Sequence, residues 1–191
     1  MSADTGARQL GGESVNRRDP LAMGVITMIV YGLLWLIVGA TSLPVPAGVR
    51  LALALAAAAG AGALLVAGRR LRARGPSRVR RVHPHSMRWF HLVNLAQTVL
   101  ILAAVFGLLR AGSPGLIVVA VCLVVGVHFL PLARIFDVPG YWWTGALLIL
   151  VAAAGATAYG LDAGNETVRA VVGLPAAVAL WSTALDVSRR G

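Results

Sequence analysis

LAMGVITMIVYGLLWLIVGATSL, Leu21 to Leu43, runs for 23 residues without a charge. A helix rises about 1.5 Å per residue, so a run of this length covers the roughly 30 Å hydrocarbon core of a bilayer. The outer helices of a water-soluble bundle keep a polar face toward solvent, and this helix would be apolar nearly all round. Five further stretches read the same way: Val49 to Ala67, Phe90 to Leu109, Gly115 to Leu132, Trp142 to Leu161 and Val168 to Leu185. Between them lie charges and turn signals: "LPVPAG", an arginine-rich connection, "RAGSPG", "ARIFDVPG" and "DAGNET". The expected fold is all-α, a polytopic six-helix transmembrane bundle.

Composition points the same way. Of 191 residues, 58% are hydrophobic and 13% charged, and the mean hydropathy is +0.80, outside the usual range of soluble domains. Twenty mostly polar residues precede the first run, unlike the short basic start of a cleavable signal peptide, so the first run reads as a retained span. The expected organisation is a disordered polar tail over 1–20, one transmembrane domain over 21–187 with an arginine-rich loop at 68–89, and a short tail over 188–191. The single cysteine, Cys122, lies inside the fourth run; it excludes an intrachain disulfide and reads as a packing residue.

Charge sets the expected orientation. All 17 basic residues are arginine. Arg8, Arg17 and Arg18 precede the first run, and Arg69, Arg70, Arg72, Arg74, Arg78, Arg80, Arg81 and Arg88 fill the second connection. Arg134 lies in the fourth connection and Arg189 and Arg190 end the chain, whereas the other connections hold only Arg50, Arg110 and Arg169. Basic loops stay in the cytoplasm, so both termini are expected inside the cell's inner (plasma) membrane, as an even number of spans also requires. The eight arginines of the second connection are expected to meet anionic lipid headgroups, at about 1 kcal/mol per side chain near the surface. A nucleic-acid partner is not expected, because the aromatic interleaving of a single-strand binder is missing. His83 and His85 have no cysteine or carboxylate near them and are surrounded by arginines, so neither a metal nor another cofactor is expected.

Lipid tails are as apolar as leucine, so helices in a bilayer associate by close packing and polar contacts. Small residues spaced by four form stripes at Ala52, Ala56 and Gly60 and at Ala152, Ala156 and Gly160. They mark the second and fifth helices as the expected most tightly packed helices of the bundle. Their matching places in the two halves hint at an inverted repeat of three plus three spans. Thr27, Tyr31 and Trp35 make a further stripe on the first helix.

Polar residues gather near the cytoplasmic ends. In "GVHFLPLARIFDVPGYWWTG", Gly126 to Gly145, Pro131 crowds the Val127 carbonyl and predicts a helix kink there, with His128 beside it. His91, Asn94 and Thr98 share one side of the third run, and Ser182, Thr183 and Asp186 lie along one side of the sixth. Two readings fit: a polar vestibule lined by His91, Asn94, Thr98, His128, Ser182 and Asp186, or ordinary interfacial and helix-bonding roles. Trp142 and Trp143, with Tyr141, suit the membrane interface.

The segments "GVHFLPLARIF" and "YWWTGALLILVA" resemble a pattern of small bacterial integral membrane proteins with a G-x-H-F-x-P-L-A type motif. That resemblance implies a membrane location and brings no activity, substrate or cofactor. Neither paired carboxylates, a nucleophile beside a base, nor a metal cluster is recognisable, so an enzyme is not expected. A small-molecule or ion transporter or channel built on the vestibule is the first expectation. The alternative is a membrane-embedded accessory or assembly subunit, working as a homo-oligomer or beside a partner subunit.

Overall fold

The computed structural model describes residues 20–73 and 84–190, so the expected polar tail before Pro20 lies outside the described residues. Among them every regular element is helical: α1 (Pro20–Thr41), α2 (Ala47–Ala73), α3 (Pro84–Arg110), a 3-10 turn at Pro114–Leu116, α4 (Ile117–Phe136), α5 (Gly140–Gly160) and α6 (Asn165–Arg190). Each apolar run of the sequence becomes one helix. Five helices are long and apolar enough to cross a membrane, over Gly24–Thr41, Arg88–Arg110, Pro114–Phe136, Gly140–Gly160 and Asn165–Arg189. In α2 the described apolar stretch is Gly48–Gly62.

Three helix ends use the same device. Gly112, Asp137 and Asp162 adopt positive φ, and the residue after each donates its N–H back five positions, as Val138 does to Ala133 at 3.2 Å. This left-handed cap satisfies carbonyls that a helix end leaves open. At Asp137 it turns the chain from α4 into α5 within three residues. Pro131 does not end α4, which continues to Phe136.

Packing follows a sequential arc. The most extensive contact joins α1 to α6, followed by α4 with α5 and α5 with α6; α2 rests mainly on α1, and α3 on α4. Among the described residues α2 and α3 do not touch, and the main contacts follow the order α3–α4–α5–α6–α1–α2. No residue of the α3 span is fully buried.

Glycine sets the closest approaches. A Cβ on Gly173 of α6 would lie 2.6 Å from the Gly39 nitrogen and 2.7 Å from the Trp35 oxygen of α1, so these backbones meet directly. Gly32 makes room for Trp181, whose indole N–H donates to the Ile29 carbonyl at 3.2 Å. A Cβ on Gly145 of α5 would lie 2.8 Å from the Gly126 oxygen of α4.

The expected small-residue stripes are out of phase with this packing. Ala52 and Ala156 are exposed, and a Cβ added at Gly60 or Gly160 would have nothing within 4 Å. The buried side of α5 instead runs through Thr144, Gly145, Leu148, Ala152 and Gly155. The closest pair is α1 with α6; α5 is closely packed, on both α4 and α6, whereas α2 among the described residues rests mainly on α1. On α1, Trp35 is buried while Thr27 and Tyr31 face outward.

Candidate functional site

Polar side chains converge where α1, α5 and α6 meet at one end of the bundle. The short connection from α4 starts α5 beside α6, and the first turns of α5 carry Gly140, Tyr141 and Thr144. Tyr141 is 3% exposed, and its hydroxyl lies 3.3 Å from where a Cβ on Gly24 of α1 would be. Thr144 and Thr183 hydrogen-bond to each other across α5 and α6. Each hydroxyl also reaches its own helix, Thr144 Oγ1 to the Gly140 carbonyl at 2.9 Å and Thr183 Oγ1 to the Ala179 carbonyl at 2.8 Å. Two hydroxyls carry two protons for three contacts, so one of the two carbonyls is released whenever the interhelical bond forms.

Asp186 completes the junction. Its Oδ2 lies 3.4 Å from where a Cβ on Gly140 would be, beside the first residue of α5. A carboxylate there meets the positive end of the α5 dipole. Pro139, the N-cap of α5, makes no side-chain cap hydrogen bond and the first turn of α5 holds no acidic residue, so Asp186 brings a carboxyl group to that end from α6.

The expected vestibule residues are distributed differently. On α3, His91 and Thr98 are exposed and Asn94 is half-buried; Asn94 Nδ2 donates to the Phe90 carbonyl at 2.8 Å and Thr98 Oγ1 to the Asn94 carbonyl at 3.0 Å. Ser182 is exposed and donates to the Ala179 carbonyl at 2.9 Å. Because α3 and α6 do not touch among the described residues, His91, Asn94 and Thr98 do not join Ser182 and Asp186 in one cluster. His128 is half-buried against α3, with the Val93 backbone beside its ring, and its Nδ1 is enclosed without a hydrogen-bond partner. Arg88 is exposed; Arg69, Arg70 and Arg72 fall in the last turns of α2, and Arg74, Arg78, Arg80 and Arg81 lie outside the described residues. Among the described residues no group of histidine, cysteine, aspartate or glutamate is placed to hold a metal ion.

The sequence reading put Ser182 and Thr183 on one side of α6, whereas the structure exposes Ser182 and buries Thr183. One residue is about 100° around a helix, enough to exchange an exposed side for a buried one. Thr144 carried no signal, since its partner lies 39 positions away. Tyr141 read as an interfacial aromatic, and only its neighbours on α1 show it to be buried.

No protein-family model matches the chain, and no curated protein or solved structure matches it.

Proposed function

We propose that the chain is a six-span membrane protein with both termini and its arginine-rich connection in the cytoplasm, serving as a membrane-embedded accessory or assembly subunit. Geometry supports six crossings. Gly24 of α1 lies beside Tyr141, and Phe90 of α3 packs on Phe136 with ring centroids 5.6 Å apart, both at the end where α4 passes into α5. If α1 and α3 start at the same end, α2 must return the chain between them. Its 27 residues extend about 40 Å, enough for the bilayer core.

The observation that carries the accessory reading is where the polar side chains direct their hydrogen bonds. Asn94, Thr98 and Ser182 each donate to a carbonyl of their own helix, and Thr144 and Thr183 divide their two protons between each other and the Gly140 and Ala179 carbonyls. The Thr144–Thr183 bond joins two helices, and the other donors are spent within their own helix rather than offered to a solute.

A transport or channel role is the second reading, favoured by His128, whose enclosed Nδ1 has no partner between α3 and α4. Cysteines placed singly along α3 and α4 in a Cys122→Ala background separate the two. Labelling by a water-soluble thiol reagent confined to the helix ends fits the accessory role. A labelled stripe crossing the bilayer would refute it and establish a water-filled path.

A further inference from the structure

We propose that the outer corner between α4 and α5, where Arg134 lies over Trp142, binds the phosphate of an anionic phospholipid headgroup. This rests on the membrane reading above. The Arg134 guanidinium carbon is 5.2 Å from the centre of the Trp142 ring. Arg134 is exposed, three residues before the left-handed turn at Asp137, and Trp142 starts the outer side of α5 just after it. The turn therefore fixes the two side chains against each other. Attraction between a cation and an indole face costs the guanidinium none of its in-plane N–H donors. A guanidinium held in this way presents a planar edge of paired donors, which matches two phosphate oxygens at once.

The surroundings favour a lipid over a free anion. Trp142 is 40% exposed and Trp143 74%, so an apolar aromatic surface continues from the guanidinium down the outside of α5, where acyl chains would lie. The same end of the bundle carries Trp89, 53% exposed, and exposed Arg88 on α3. Indole rings and arginines at one level are the arrangement of a headgroup boundary. Asp137, exposed in the same turn, places a negative charge near the corner and makes the site's strength adjustable by substitution.

The test uses the full chain reconstituted in nanodiscs of phosphatidylcholine with a minor share of phosphatidylglycerol, followed by native mass spectrometry of the lipids retained on release. The wild type is expected to keep phosphatidylglycerol in preference to phosphatidylcholine. Arg134→Ala is expected to weaken retention of the tightest phosphatidylglycerol about fivefold, the factor for one basic side chain at an anionic surface, with phosphatidylcholine unchanged. Arg134→Lys, which keeps the charge and loses the planar fork, is expected to fall between them, and Asp137→Asn to retain more than the wild type. Unchanged phosphatidylglycerol retention in Arg134→Ala overturns the site. Should Arg134→Ala melt early in detergent, unchanged retention in Arg134→Lys overturns it instead. Displacement of the lipid by excess inorganic phosphate would show a free-anion site and equally overturn the proposal. A chain that stays soluble without detergent and does not enter nanodiscs refutes the membrane reading itself, whereas entry without lipid preference refutes only this corner.

Discussion

Replacing Gly173 by alanine probes the tightest helix contact in the protein. The new Cβ would meet the Gly39 nitrogen at 2.6 Å, the Trp35 oxygen at 2.7 Å and the Gly39 Cα at 2.8 Å. All three are backbone atoms, so no side chain can swing aside. To regain the 3.4 Å of ordinary contact, α1 and α6 must part by about 0.8 Å, a gap that forfeits a quarter to a half of each dispersion contact across it. Overpacking of this kind costs about 1–3 kcal/mol, and the rigidity of the opposing backbone puts Gly173→Ala near the upper value. That is roughly a hundredfold change in the unfolding equilibrium, measurable by denaturation in mixed detergent micelles. Gly160→Ala is the matched control. It adds the same methyl group at the last residue of α5, where nothing lies within 4 Å, and should leave stability near that of the wild type. Equal stabilities of the two variants would refute the assignment of α1 and α6 as the closest pair.

Further substitutions test other parts of the structure. Thr144→Val and Thr183→Val remove the same interhelical bond, so each should cost about 0.6–1.7 kcal/mol and the double variant should fall well short of their sum, as a double-mutant cycle in detergent will report. Ser182→Ala, one position away on the exposed side of α6, should leave stability within error of the wild type; a loss equal to that of Thr183→Val would reverse the assignment of faces. Asp137 sits at φ 54°, where a β-branched side chain is strained, so Asp137→Val should lower the melting temperature while Asp137→Gly leaves it unchanged or raises it.

What was legible in the sequence follows from chemistry that each segment carries alone. Apolar runs of membrane length become helices because lipid cannot hydrogen-bond a bare backbone, and every run appears in the structure as one helix. The turns were legible too: Gly112, Asp137 and Asp162 fall in the connections that the sequence marks as breaks. Phase was harder to read. Helices that are apolar nearly all round have no polar side to betray which face is buried, so the stripe at Ala152, Ala156 and Gly160 looked as good as the one through Gly145, Leu148, Ala152 and Gly155. The same ambiguity grouped Ser182 with Thr183, although only Thr183 is buried.

The amino-acid sequence by itself determined that this protein is helical and built for lipid, because transfer of a segment into a bilayer depends on that segment's own length and polarity. Only the tertiary structure decided that α1 pairs with α6, that Tyr141, Thr144, Thr183 and Asp186 meet at one junction, and that α3 rests on α4 and the short turn before it. Those outcomes depend on whether a gap of a few tenths of an ångström on one helix meets a glycine or a hydroxyl on another, a match between distant residues that no single stretch of chain records.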